Sequence, residues 1–165
     1  PITESIMELI NFKAILVASF SSFIVGFIWY NPKVFGTIWM NETGMTEEKA
    51  RQSSMLKVFG LTFVFAFMLA FMMPTLVIHQ IGALQLAGGN EKDEAFIAYM
   101  QVHGHMFRSF GHGALHGFFA ALFIVVPSIA TNCLFEQKSF KYAAITSGYW
   151  IIVMTIMGAI ICGWK

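Results

Sequence analysis

Long apolar stretches without formal charge alternate along this chain with short charged segments. The 10 Lys and Arg residues and the 9 Asp and Glu residues all lie outside four apolar windows. These windows are residues 14–30, 58–81, 109–135 and 142–164. A helix rises about 1.5 Å per residue, so roughly 20 apolar residues carry it across the hydrocarbon core of a bilayer. The pattern therefore predicts four transmembrane helices.

The polar segments between the windows give approximate helix ends. Asn90 precedes a run of acidic residues, and Thr46 precedes Glu47 and Glu48, which are both signals for the start of a helix. Unpaired backbone is not tolerated in lipid, which excludes open sheets, and the windows lack the alternation of a membrane barrel. We therefore expect an all-α integral membrane four-helix bundle, antiparallel, in a single domain over residues 1–165. The predicted helices cover residues 5–30, 47–81, 109–135 and 142–164, with a short interfacial helix over residues 91–107.

Aromatic side chains surround the point at which the first apolar window ends. Pro32 has no amide hydrogen and disfavours helical backbone at Asn31, so the first helix should end at about Tyr30. Trp29, Tyr30 and Trp39 combine apolar rings with polar tips, which suits the headgroup region of a membrane. We interpret this turn as an anchor at the membrane interface, with a recognition surface of Tyr30, Asn31 and Trp39 as the alternative.

Two polar residues end the third apolar window. In an antiparallel four-helix bundle, the connections after the first and third helices lie on one side of the bilayer. Asn132 and Glu136 are four residues apart and share one side of a helix, within reach of Tyr30 or Asn31. Polar groups near a membrane edge commonly join helices, so these residues predict a structural latch. A substrate-binding site is the alternative.

Small residues recur every fourth position in two of the windows. Such stripes let another backbone approach closely and are typical of helix packing in membranes. The stripe in the first window is Ala18, Ser22 and Gly26, and the stripe in the third is Gly113, Gly117 and Ala121. Both stripes predict packing faces, which a second copy of the chain or another membrane protein could use.

Three histidines stand close to the ends of the second and third windows. His79 ends the second window, and His112 and His116 begin the third, one helical turn apart. Imidazoles at such positions can share a metal ion or bracket a haem iron. No Asp or Glu accompanies the pair, and helix packing explains the glycines around it. We therefore expect no cofactor, with a metal ion or haem at His79, His112 and His116 as the alternative.

Composition limits the classes of function. Hydrophobic residues make up 57% of the chain and charged residues 12%, against about 25% charged residues in an average soluble domain. The net charge of +1 and the lack of a basic run give no reason to expect a nucleic-acid partner. No nucleophile has a neighbouring base, and no glycine loop could cradle a phosphate. We therefore predict no catalytic residues and a protein that is not an enzyme.

The Lys and Arg residues predict the orientation of the chain. The connections after the first and third helices contain Lys33, Lys49, Arg51, Lys57, Lys138 and Lys141, and the other side contains Lys13, Lys92, Arg108 and Lys165. Cytoplasmic loops carry the excess of positive charge, so both termini are expected outside the cytoplasm. The N-terminal segment lacks the features of a cleaved signal peptide, and the first helix is expected to be retained.

Two stretches resemble the hallmarks of a known membrane family. The first runs from Trp29-Tyr30-Asn31-Pro32 through Phe35-Gly36 to Trp39-Met40, and the second from His116-Gly117 through Pro127 and Ala130-Thr131-Asn132 to Leu134-Phe135-Glu136. Their order and spacing are similar to the family catalogued as domain of unknown function 1761. The resemblance implies a small multi-pass protein of the bacterial inner membrane, whose termini would then be periplasmic, and it implies no activity. It directs attention to Tyr30, Pro32, Trp39, Asn132 and Glu136.

Three hypotheses for the function remain. The leading one is a non-enzymatic membrane protein that acts by helix packing, as a homo-oligomer or as an accessory subunit of a membrane complex. Its partners would be the lipid bilayer and itself or another membrane protein. The second hypothesis is a carrier or channel for a small solute or ion. The third is a haem-binding or metal-binding membrane protein that uses His79, His112 and His116.

Overall fold

The computed structural model describes residues 9–165, and all regular structure in that part of the chain is helical. The helices are α1 (Phe12–Trp29), α2 (Thr37–Thr43), α3 (Glu47–Gln52), α4 (Met55–Val77), α5 (His79–Leu86), α6 (Glu94–His103), α7 (Phe110–Ala120), α8 (Val126–Phe135) and α9 (Phe140–Gly163). The π-helical turns Pro32–Gly36 and Ala121–Val125 join α1 to α2 and α7 to α8. Four segments are long and apolar enough to cross a membrane: α1, α4, the stretch Phe110–Phe135 and α9. The all-α fold with four candidate membrane spans is therefore confirmed.

The first span begins at a side-chain cap. Helix α1 starts at Phe12 because the carboxamide oxygen of Asn11 accepts a hydrogen bond of 3.1 Å from the Ala14 amide. Within the described residues, α1 therefore begins later than the helix predicted over residues 5–30. Residues 5–8 of that prediction lie outside the described residues. Helix α1 ends at Trp29, just ahead of the proline that was expected to end it.

The second predicted helix, residues 47–81, is divided into three. Ser53 and Ser54 separate α3 from α4, and the Ser54 hydroxyl caps the new helix by accepting a hydrogen bond from the Lys57 amide. Helix α4 continues past Pro74 but ends at Val77, because Ile78 adopts extended backbone with φ −115° and ψ 103°. His79 therefore begins a separate helix, α5, instead of ending the second span.

The remaining helices lie close to their predicted ends. The third span covers Phe110–Phe135, and the π-helical turn within it precedes Pro127, whose missing amide cannot continue the α-helical ladder. The fourth span begins at Phe140, after Ser139 caps it through the Tyr142 amide. Helix α6 is shorter than the predicted residues 91–107, because Asp93 rather than Asn90 caps it and Gly104 ends it.

Helix α9 packs backbone to backbone against α7 at the stripe of small residues. A Cβ atom added to Gly113 would clash with the Gly158 carbonyl, and one added to Gly117 would clash with the Met154 carbonyl. Ala121, the third member of the stripe, is fully buried. The partner of this predicted packing face is therefore α9 of the same chain.

The stripe on α1 is also occupied within the chain. Ala18 and Ser22 are buried, and Gly26 lies against the ring of Tyr149 in α9. The Tyr149 hydroxyl donates a hydrogen bond of 3.1 Å to the Ser22 carbonyl. Stacked and tilted pairs of phenylalanine rings, Phe20 with Phe63 and Phe23 with Phe59 and Phe63, join α1 to α4. Helix α9 thus has the largest buried face of the fold.

Candidate metal centre

Three histidines from two helices meet at one end of the fold. His79 is the first residue of α5, placed there by the extended residue Ile78 that separates it from α4. His112 and His116 occupy successive turns of α7 and face the same side of that helix. The close packing of α7 on α9 fixes the position of these two rings relative to the rest of the bundle.

The three imidazoles, which we call the histidine triad, are in mutual contact. The Nε2 atoms of His79 and His112 are 2.9 Å apart. The ring of His116 lies 5.1 Å from the ring of His79 and 4.4 Å from the ring of His112, measured between centroids. One nitrogen from each ring can be chosen so that all three lie within 4.8 Å of one another. His79 is exposed and the other two rings are partly buried, so an ion could reach the triad from solvent.

The spacing suits a single transition-metal ion. Two nitrogens bound to one tetrahedral ion at about 2.0 Å are about 3.3 Å apart, which is close to the separation of His79 and His112. Three imidazoles leave a fourth position open for water or an exchanging ligand. The group contains no carboxylate and no thiolate, and imidazole nitrogens suit zinc, copper, iron and nickel.

Haem fits the same residues poorly. A haem iron held by two histidines has its flat macrocycle between their rings, with the two axial nitrogens on opposite sides of the iron. The rings of His79 and His112 are tilted by 54° with centroids 5.0 Å apart, and their nitrogens are already in contact. The geometry therefore favours a bare ion over haem.

Phe107 covers one side of the triad. Its ring stacks on His112 at 4.9 Å between centroids and meets the ring of His79 edge-on at 5.4 Å. Its backbone has a φ of 62°, in the left-handed region that bulky residues rarely occupy. The thiol of Cys162 donates a hydrogen bond to the Phe107 carbonyl, and so does the Ser109 amide. This role could not be predicted from sequence, because the predicted interfacial helix over residues 91–107 included Phe107, which instead lies in the turn after α6.

The loop that carries Phe107 is held by a buried glutamine. Gln80 follows His79 and is 1% exposed. Its Nε2 donates hydrogen bonds to the carbonyls of His103 and Met106, at 2.8 and 2.9 Å. A buried amide that pairs with two backbone acceptors fixes the loop between α6 and α7 against α5. Its other polar atom, Oε1, is buried without a hydrogen-bond partner among the described residues.

The aromatic turn predicted at the end of α1 packs on α9. The indole N–H of Trp29 donates a hydrogen bond of 3.0 Å to the Ile145 carbonyl. Tyr30 lies with its ring 5.4 Å from the rings of both Trp39 and Tyr149. Burial, with smaller effects of nearby tyrosines, raises the pKa of Tyr30 to about 12. Asn31 is used locally, since its carboxamide oxygen accepts a hydrogen bond from the Lys33 amide after Pro32.

The predicted latch partners do not meet as expected. Asn132 and Glu136 are both exposed, and neither side chain forms a hydrogen bond to Tyr30 or Asn31 within residues 9–165. The two connections meet through another pair instead, because the Ser139 hydroxyl donates a hydrogen bond to the Glu42 carboxylate. This pair is outside the motifs that drew attention to the segment, although Ser139 is recognisable from sequence as a helix cap.

These observations define an all-helical protein with four membrane-compatible spans and a cluster of three histidines at one end. The chain belongs to the family described as Protein of unknown function (DUF1761), whose model matches residues 13–162. This confirms the resemblance drawn from the aromatic turn and the Asn132 to Glu136 segment. No curated protein and no solved structure matches the chain. The family description gives no activity, so the function has to be argued from the site.

Proposed function

We propose that this protein is a multi-pass membrane protein that binds a transition-metal ion through His79, His112 and His116. The observation that carries the proposal is the convergence of the three imidazoles from two separate helices. His79 and His112 are 33 residues apart in sequence, yet their Nε2 atoms are 2.9 Å apart. Nearby ring nitrogens with one open coordination position are the ligand set of an exchangeable or reactive metal site.

The bundle around the site is proposed to be antiparallel. Two sets of contacts support this arrangement. Phe20 meets Phe63 while Phe23 meets Phe59, so α1 and α4 run in opposite directions. Gly113 meets Gly158 while Gly117 meets Met154, and the same argument applies to α7 and α9. The triad then lies at the end of the bundle where α4 ends and α7 begins, and α6 would lie on the membrane surface there.

The proposed cellular setting combines the family resemblance with the charges. We place the protein in a bacterial inner membrane, with both termini and the triad on the periplasmic side. The excess of Lys and Arg in the connections after the first and third spans supports this orientation. On this view the ion reaches the triad from the periplasm.

Metal binding by the full-length protein in lipid nanodiscs tests the proposal. Co²⁺ is a suitable probe, because its visible absorption reports tetrahedral coordination by nitrogen ligands. We expect one Co²⁺ per chain, displaced by Zn²⁺. Even changes in groups that only support metal ligands typically cost tenfold to a hundredfold in affinity, so His112→Gln or His116→Gln should weaken binding by at least about tenfold.

A matched histidine variant serves as the control. His105 is exposed and lies outside the triad, so His105→Gln should bind Co²⁺ with unchanged affinity. The proposal is wrong if the unchanged protein binds no Co²⁺ or Zn²⁺ above the level of the His112→Gln, His116→Gln double variant.

The other hypotheses stay predictions. The stripes that suggested self-association pack within the chain, so homo-oligomer or accessory-subunit roles now need another surface. Native mass spectrometry in mild detergent tests these roles, and a strictly monomeric species without a co-purifying partner would contradict them. A carrier or channel for a small solute, with a pathway between the second and third spans that contain Pro74 and Pro127, predicts uptake into proteoliposomes.

A further inference from the structure

His103 and Met106, which are not part of the histidine triad, contact each other through side-chain atoms that can bind metal ions. The Nδ1 atom of His103 and the Sδ atom of Met106 are 2.8 Å apart. They come from the last residue of α6 and from the loop that follows it. Met106 is exposed and His103 is partly buried.

The backbone beneath this pair is fixed from inside the protein. Gln80 donates hydrogen bonds to two carbonyls, and they belong to His103 and Met106. Since Gln80 is 1% exposed, this double hydrogen bond is a feature of the core and not a chance arrangement of surface side chains. The ring of Tyr99 lies 5.0 Å from the ring of His103, measured between centroids, and restricts the orientations that the imidazole can adopt.

The pair is a close neighbour of the triad. Gln80 follows the triad residue His79, and Met106 precedes Phe107, whose ring touches both His79 and His112. One short loop therefore carries both Met106 and the ring that covers the triad.

The chemistry of the donors indicates which ion this is. A thioether sulfur is a soft, uncharged ligand that selects Cu(I) over zinc, magnesium or calcium, whereas imidazole also suits copper. We propose that His103 and Met106 form a Cu(I) site, and that copper is therefore the metal that this protein handles. The inference deepens the proposed function and rests on it. Copper enters and leaves the pair as Cu(I), so no electron is transferred.

Anaerobic titration of the full-length protein in nanodiscs with Cu(I), against a chromogenic Cu(I) chelator, tests the inference. We expect two Cu(I) per chain in the unchanged protein. Met106→Leu should bind one Cu(I) and keep its Zn²⁺ site, while the His112→Gln, His116→Gln double variant should bind one Cu(I) and lose Zn²⁺. The matched control is Met72→Leu, since Met72 is also exposed but lies within α4, and this variant should bind two.

X-ray absorption fine structure at the copper edge gives a second readout. It can be measured on the protein without any substitution, so it does not require a variant to fold. Protein grown with selenomethionine should show a selenium neighbour of Cu(I), and Met106→Leu should lose it. The inference is wrong if the protein binds a single Cu(I) that Met106→Leu does not change and no selenium neighbour is seen. Zn²⁺ binding at the triad would then still support the proposed function. Cu(I) bound to selenium without any triad-dependent Zn²⁺ would instead contradict the proposed function, and with it the inference that the pair and the triad handle the same metal.

Discussion

Gln80 shows how one buried side chain can set the geometry of an exposed site. The residue stands at a position that reads as part of an apolar window, where its polarity has no evident use in sequence. In the structure its amide spans the carbonyls of His103 and Met106 and thereby fixes the loop that carries Phe107. The three triad histidines could be named from sequence because their spacing along α7 and their place at window ends are visible there. Gln80 and Phe107 could not be named from sequence, because both act through tertiary contacts of the loop between α6 and α7.

Replacing Gln80 should therefore affect both stability and copper binding. Gln80→Leu leaves the Met106 carbonyl without its donor, whereas the His103 carbonyl keeps the hydrogen bond from the Met106 amide. An unsatisfied buried acceptor costs about 1–3 kcal/mol. We expect the free energy of unfolding in detergent to fall by about that amount. Cu(I) affinity at His103 and Met106 should fall as well.

The matched control for this prediction is Gln85→Leu. Gln85 is an exposed residue of the same helix, α5, so its replacement should leave both quantities nearly unchanged. Equal effects of the two substitutions would show that Gln80 does not position the loop.

At the scale of helices, sequence patterns found the elements but not always their partners. The stripe on α7 was recognised as a packing face, yet its partner is the backbone of α9 around Gly158. A stripe of small residues indicates that a helix can be approached closely, and it does not state by which helix.

The break at Ile78 was missed for a related reason. Its extended backbone occurs four residues after Pro74, inside a window that is uniformly apolar. That break is what turns His79 from the end of a span into the start of α5.

The glycines of α7 provide a direct test of this packing. In Gly113→Ala or Gly117→Ala, the added methyl group would meet a backbone carbonyl of α9, which cannot move aside like a flexible side chain. Overpacking of this kind typically costs 1–3 kcal/mol, so we expect a loss of about that size in the free energy of unfolding. Binding of Co²⁺ should weaken too, because α7 carries two of the three ligands.

Gly111 offers a control on the same helix. A Cβ atom added there meets nothing within 4 Å, and alanine favours a helix by roughly 0.5–1 kcal/mol over glycine. Gly111→Ala should therefore leave stability unchanged or raise it slightly. A stabilising effect of Gly117→Ala would contradict the close approach of α7 and α9.

For the whole molecule, the distribution of charge was the most informative feature of the sequence. Formal charges are too costly in lipid to be scattered, so their absence from four windows predicts the number of spans directly. The connections after the first and third spans meet, as predicted, but through other side chains than those predicted. Glu42 and Ser139 form it, while Asn132 and Glu136 stay exposed. Asn31 was unavailable because its carboxamide already caps the turn after Pro32.

Site-directed labelling tests the proposed arrangement of the whole chain in the membrane. Single cysteines replace exposed residues in the three connections, at Asn41, Asn90 and Gln137, in the background of the native Cys133 and Cys162, which are both buried. We expect a membrane-impermeant maleimide to label Asn90→Cys in intact cells. Asn41→Cys and Gln137→Cys should be labelled only after the membrane is opened, because positively charged connections face the cytoplasm. Opposite labelling of Asn41→Cys and Gln137→Cys would overturn the bundle itself. Reversal of all three would keep the bundle and place the histidine triad on the cytoplasmic side, where the copper supply differs.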